Sequence, residues 1–289
     1  MDGGWQLNEI LDKRELCPNI TMFRISSPEL VRRAEAGQFV ILRAYEHSER
    51  IPMSIGGLDP ANGILTVVVM EVGRSSAEIV RMKVGERFMD VVGPLGVPTH
   101  MKDFGGTCVV VGGGVGIPPI LPIAIALKVH GNKVIGIIGA RSKDLLIYEN
   151  ELGGVCDRLL VTTDDGTEGI KGFVTTALQQ LVDAGENVKF VMAVGPVIMM
   201  KNVAKLTQPH GIETWVSLNP IMVDGTGMCG GCRVSIGGKS KFACVDGPDF
   251  DAHKVDFDEL IQRQAMYKTQ EKIAYDTYLE KCKIGLGRA

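Results

Sequence analysis

The chain has 289 residues, 45% of them hydrophobic and 22% charged, with a formal net charge of −3. This is the composition of a packed protein with room for two domains and a small appendage, and it excludes an extended disordered chain. Near-balanced charge without a Lys/Arg cluster also excludes a nucleic-acid footprint.

The N-terminal MDGGWQLNEILDKREL mixes charged and apolar residues and lacks the apolar centre of a signal peptide. From about residue 6 to residue 101, short β-type runs alternate with turn signals: ITMFRIS (20–26), QFVILRA (38–44), GILTVVVMEV (63–72) and RFMDVVGP (87–94). Such spacing predicts an antiparallel barrel or sandwich. SSAEIVRMKVG (75–85) interrupts the series, and its apolar spacing predicts one short helix beginning at a Ser cap.

Past Gly105 the rhythm changes. TCVVVGGG (107–114), NKVIGIIGA (132–140), RLLVTTDDG (158–166) and KFVMAVGP (189–196) read as strands; IPPILPIAIALKVHG (117–131), GFVTTALQQLVDAG (172–185) and MMKNVAKL (199–206) read as helices. Alternating strands and helices with apolar strands predict a parallel sheet covered on both faces. Cys108 to Leu127 carry no charge over 20 residues, long enough for a bilayer span. Four glycines and three prolines divide this stretch, however, into a strand, a turn and a helix, so no membrane span is expected. WVSLN (215–219) adds a last strand, a glycine- and cysteine-rich segment follows over about 221–247, and residues 256–282 read as a closing helical region. The expected fold is α+β and multidomain: an antiparallel β-barrel (1–103), an α/β parallel-sheet domain (104–217), and a small module with a closing helix (218–289).

Two loops point to a dinucleotide. In VVVGGGVGIPP (109–119) a strand leads through glycines into a helix with prolines in its first turn, where free N–H groups favour an anion. Gly112 and Gly114 fit the G-x-G-x-x-G fingerprint, but Ile117 takes the third place, and Arg141 rather than an acid ends the next strand. A turn of this kind also serves mere packing. The second loop, Gly195–Pro196 in AVGP, ends a later strand on the same sheet edge, where open α/β sheets bind ligands. Candidate nucleotide residues are Gly113, Gly114, Val115, Gly116, Arg141, Asp164, Gly195 and Pro196.

Seven cysteines, an odd number with three bunched late in the chain, fit a reducing cytoplasm and a metal site rather than disulfides. VDGTGMCGGCRV (223–234) followed by Cys244 reads D-x4-C-x2-C-x11-C. Plant-type [2Fe–2S] sites use C-x4-C-x2-C…C, so Asp224 stands in the first ligand's seat before Cys229, Cys232 and Cys244. Glycines 225, 227, 230 and 231 allow a tight wrap with N–H groups turned toward sulfur. Zinc is the rival, held by the three cysteines with Asp224 or His253.

Barrel first and nucleotide domain second is the order of the ferredoxin–NADP reductase superfamily, which this chain resembles. RIPMSIGG (50–57) is similar to the superfamily's Arg–x–Tyr–Ser/Thr flavin motif in the variant of dihydroorotate dehydrogenase electron-transfer subunits. Met53 replaces the usual aromatic residue, and Arg50 lies one place further from Ser54. The resemblance implies FAD held by Arg50, Pro52, Met53, Ser54 and Ile55, with the guanidinium on the pyrophosphate. Gly73, Ser75 and Ser76 of VGRSSAEI (72–79) would add phosphate contacts; an ordinary capped turn is the alternative. Over its whole length the chain resembles the small (alpha) subunits of NADH-dependent reduced ferredoxin:NADP oxidoreductases, which are distinguished by an aspartate cluster ligand. That implies one FAD, one [2Fe–2S] cluster and NAD(H) here, no catalytic acid or base, and a larger partner subunit with a second FAD and [4Fe–4S] clusters. Ferredoxin is then reached indirectly through an electron-bifurcating complex. An electron-transfer subunit of dihydroorotate dehydrogenase, or a non-enzymatic nucleotide-binding module with structural zinc, are the alternatives. Arg141 and Lys143 leave NAD or NADP open on residues alone; the resemblance favours NAD.

Overall fold

The computed structural model describes residues 6–283; the outer limits of the first and third expected domains, residues 1–5 and 284–289, lie outside them. The first part is a closed antiparallel barrel built from β1 (Ile10–Cys17), β2 (Ile20–Ser26), a one-turn α1 (Pro28–Val31), β3 (Phe39–Arg43), β4 (Ile51–Ser54), β5 (Gly57–Asp59), β6 (Ile64–Met70), α2 (Arg74–Val80) and β7 (Asp90–Leu95). Its strands form two sheets, ordered β1-β2-β6-β5 and β4-β3-β7. The seams are backbone bonds: Ile10 N–H donates to Glu86 O at 2.9 Å, and Gly56 N–H to Thr66 O at 2.9 Å. Alternate residues of β2, β3 and β6 (Phe23, Ile25, Val40, Leu42, Leu65 and Val67) point inward as the period of two requires. Strand β7 begins at Asp90, later than the sequence suggests, and α2 is capped by Gly73 rather than by a serine. Ser76 Oγ reaches back to accept Val72 N–H at 2.9 Å and Gly73 N–H at 3.0 Å.

The second part carries β8 (Thr107–Gly113), α3 (Ile117–Val129), β9 (Lys133–Ala140), α4 (Glu149–Gly153), β10 (Arg158–Thr163), β11 (Ile170–Lys171), α5 (Val174–Asp183), β12 (Val188–Val194), α6 (Val197–Thr207) and β13 (Glu213–Ser217). Strands β8 to β13 lie parallel in the order β11-β10-β9-β8-β12-β13. Continuous apolar runs are needed because both faces are covered. Val109, Val111, Ile135 and Ile137 meet α5 and α6, while Cys108, Val110, Val134 and Ile138 meet α3. The uncharged stretch from Cys108 is thus a strand, a glycine turn and most of helix α3. Among the described residues no helix is long and apolar enough to cross a membrane.

The remaining chain forms a hairpin, β14 (Arg233–Ile236) and β15 (Lys239–Phe242), then α7 (Ala243–Asp246), β16 (Asp249–Asp251), α8 (Phe257–Gln264) and α9 (Lys268–Lys283). Strand β16 adds antiparallel to β13 and becomes the seventh strand of the sheet. The expected closing helical region is two helices. Helix α8 buries Phe257 and Leu260. Helix α9 reaches the barrel, where Tyr275 O–H donates to Glu71 Oε1 at 2.7 Å and the Arg81 guanidinium lies 5.4 Å over the Tyr278 ring.

Candidate functional site

The carboxyl ends of β8, β12 and β13 face barrel strands β3 and β4 across a cavity of about 470 Å³. Eight residues singled out in the sequence meet there: Pro52 and Ser54 from β4, Gly113, Gly114, Val115 and Gly116 from the turn after β8, and Gly195 and Pro196 from the turn after β12. Close approach explains the glycine at 116, where a Cβ would sit 2.3 Å from Val194 O. The third wall, Ser217, Leu218, Asn219, Pro220 and Met222, did not stand out in the sequence. The rule that ligands bind beyond the carboxyl ends of parallel strands would have found it at the end of WVSLN.

The other flavin candidates divide. Arg50 is exposed just before β4, and Met53 packs on the barrel core in which Ile55 is fully buried. Ser75 Oγ donates to Glu49 Oε2 at 2.5 Å, which joins the start of α2 to the loop carrying Arg50. Ser76 is buried and spends its hydroxyl on the cap; Gly73 and Ser75 remain outward. Arg141 and Asp164 follow adjacent strands β9 and β10, joined by Asp164 N–H to Ala140 O at 3.1 Å, and both are exposed beyond the cavity wall. The Lys143 ammonium is met by Glu168 at 2.7 Å.

The four metal candidates stand in two pairs. Cys229 Sγ donates to Asp224 Oδ1 at 2.8 Å, and Cys232 Sγ to Cys244 Sγ at 3.1 Å. Among the described residues no three such side chains converge as a one-ion site would need. Two adjacent pairs suit a binuclear centre, to which each pair would supply two protein ligands. His253 is engaged elsewhere, with Nε2 2.9 Å from the Thr207 hydroxyl, which removes it as a fourth ligand. Backbone N–H groups turn toward sulfur: Gly227 to Cys244 at 3.1 Å and Gly231 to Cys229 at 3.4 Å. At Gly225, with φ +77°, a Cβ would meet Ile41 Cγ1 at 2.9 Å, so the loop lies directly on the outward face of barrel strand β3. The Cys229 thiol, then the Thr226 hydroxyl, hold the Asp224 carboxyl well below the usual range, so it is an anionic donor. Burial, followed by the Cys232 thiol, pushes the Cys244 thiol up to about 12. A metal binding there must displace that proton. Donor set, pairing and N–H directions fit a [2Fe–2S] cluster.

Residues 219–256 match the iron–sulfur cluster binding domain of dihydroorotate dehydrogenase B. A Thermotoga maritima protein described as a dihydroorotate dehydrogenase B (NAD(+)) electron transfer subunit homolog is 47% identical, over 96% of this chain and 98% of its own. A probable electron transfer subunit of dihydroorotate dehydrogenase B from Methanopyrus kandleri is 34% identical, over 84% of this chain and 88% of its own. Among solved structures, that of an NADH-dependent reduced ferredoxin-NADP oxidoreductase, described for flavin-based electron bifurcation, superposes with a TM-score of 0.90. It is 46% identical, over 96% of this chain and 99% of that one. Barrel, nucleotide-type sheet and paired cluster ligands therefore agree with near full-length likeness: the chain belongs to the family of dihydroorotate dehydrogenase B electron-transfer subunits and their homologues.

Proposed function

We propose that the protein moves electrons between NAD(H), an FAD on the barrel and a [2Fe–2S] cluster, as the small subunit of an electron-bifurcating NADH-dependent ferredoxin:NADP oxidoreductase. The observation that carries this reading is the continuity of the cleft with the cluster loop. The wall from Ser217 to Met222 runs within two residues into Asp224. Flavin, when bound, converts between the electron pair of a hydride and the single electrons that an iron–sulfur centre carries. The chain's own residues place and shield. Arg50 holds the flavin pyrophosphate by a charge-assisted bond, aided by Gly73 and Ser75 at the start of α2. Ser54 and Pro52 support the ring at the cleft. The turns 113–116 and 195–196 take the dinucleotide, with Arg141 and Asp164 further along the same sheet edge. Because Glu168 meets the Lys143 charge, a 2′-phosphate would find less attraction there, which favours NAD(H).

Asp224, Cys229, Cys232 and Cys244 hold the cluster. Around them Met228 is 86%, Val223 60% and Val245 44% exposed. Apolar side chains so exposed beside a redox centre suit a protein interface, here with the larger flavin- and [4Fe–4S]-bearing subunit. An anaerobic visible spectrum with iron, zinc and acid-labile sulfide analysis tests the proposal. Flavin bands, bleached by NADH, and iron matching sulfide at about two of each per chain are expected. A colourless protein with zinc alone would overturn it.

A further inference from the structure

Asp249 lies where the three parts of the chain meet. It opens β16, paired directly with Ser217 at the end of β13, and it is only 6% exposed. Its Oδ2 accepts the Thr99 hydroxyl at 2.5 Å across 150 residues. Thr99, also buried, belongs to the segment joining barrel to sheet, and its own N–H donates to Ala36 O at 2.9 Å. The same seam carries Val97 N–H to Gly247 O at 2.7 Å and Leu218 N–H to Pro248 O at 2.9 Å. Gly37, with φ +87°, leaves room for the contact: a Cβ there would lie 1.9 Å from Thr99 Oγ1 and 3.0 Å from Asp249 Oδ2. Phe39, Ser217, Leu218 and Pro248, all within two residues of this junction's members, line the cleft.

Asp249 is not an ordinary structural carboxylate. Its Oδ1 is buried with no hydrogen-bond partner. Burial raises its pKa to about 6, with the Thr99 and Ser217 hydroxyls opposing and no charged side chain contributing. Ser217 thus favours the charged form without making a bond of ordinary geometry to Oδ1. An unpaired buried carboxylate oxygen is costly, and a Val or Leu at this position would pack without that cost. It stands directly behind the cleft wall, paired with Ser217.

We propose that Asp249 is a positioning residue for the cleft: by holding Thr99 it clamps the barrel to the Ser217–Leu218 strand end, and so sets the separation across which nicotinamide and flavin meet. The clamp rests on the reading of the cleft given above. Since a misplacement of about 1 Å costs on the order of 10²-fold in rate, a clamp behind the wall acts on the limiting rate rather than on binding.

The test uses the full chain carrying its flavin and cluster. Bleaching of the flavin band on rapid anaerobic mixing with NADH gives a limiting rate, and equilibrium titration with NAD⁺ gives an affinity. Thr99→Val and Asp249→Ala are expected to lower the limiting rate about tenfold or more, with flavin content, iron content and NAD⁺ affinity within about twofold of wild type. Asp249→Asn, which keeps an acceptor for Thr99, should recover most of the rate. Unchanged rates in Thr99→Val and Asp249→Ala would overturn the clamp. So would parallel losses of flavin, stability and rate without rescue by Asn. If Asp249→Ala does not fold, Thr99→Val and Asp249→Asn decide. A wild-type flavin that neither NADH nor NADPH bleaches would overturn the reading of the cleft itself, and the clamp with it, before any variant is compared.

Discussion

Asp224 occupies a seat where a thiolate is usual, and its carboxylate is already an anion in the metal-free fold. Carboxylate is a harder and less covalent donor than thiolate. We expect Asp224→Cys to retain a cluster, by iron and sulfide content, with a displaced reduction potential in a redox titration followed by electron paramagnetic resonance. An unchanged titration would remove the reason for the residue. Asp249 makes a second prediction. The folded chain keeps its proton up to about pH 6 whereas an unfolded carboxyl releases it near 3.8. Stability therefore falls as pH rises between those values, by up to about 3 kcal/mol, and is flat above them. Urea unfolding of Asp249→Asn across pH 4 to 8 should lack that slope. At this scale the sequence was uneven in what it disclosed. Spacing alone singled out Asp224 and the three cysteines as candidates, whereas Asp249, one acid among several in CVDGPDFDAHK, carries no pattern that distinguishes a buried oxygen from a solvated one.

At the scale of elements, strands buried on both faces were legible because an unbroken apolar run has few other homes. Strand β1 was not, since ILDKREL holds charges at adjacent positions and buries fully only its first and last residues, Ile10 and Cys17. Three-residue β16 and the hairpin of β14 and β15 are too short for periodicity, and their places follow from tertiary pairing. Helix α8 shows what such short elements support. Its Gln264 Nε2 donates to Asn219 O at 2.7 Å, beside the cleft, and its Arg263 Nη2 to Gly231 O at 3.2 Å, in the cluster loop. Leu260, 1% exposed, anchors this brace. Leu260→Ala should cost about 2–5 kcal/mol in chemical unfolding and should accelerate cluster loss to a chelator. Unaltered chelation kinetics would show that the brace does not hold the loop.

For the molecule as a whole, domain order was readable from the change of rhythm near Gly105, but the cleft was not, because it is made of three strand ends brought together from distant sequence. The exposed apolar group about the cluster belongs to this scale too. Met228→Glu should leave flavin and iron content unchanged and weaken association with the larger subunit about tenfold or more, as a charge buried at an interface would. Co-purification or analytical gel filtration of the two subunits measures it, and undiminished assembly would place the interface elsewhere.

One feature of the sheet bears on how the molecule is made. Ser217 and Asp249 are direct partners across β13 and β16, so everything from 218 to 248 is a loop whose two ends are already neighbours. Closing such a loop costs entropy only slowly with its length. Pairing of β13 with β16 therefore returns the cysteine-bearing segment to the sheet edge at small entropic cost for its length. The same geometry ties the outlet for single electrons to the cleft: the segment that carries the cluster ligands begins with Leu218, Asn219, Pro220 and Met222 of the cleft wall, so excision at its paired ends would open the cleft as well as remove the cluster.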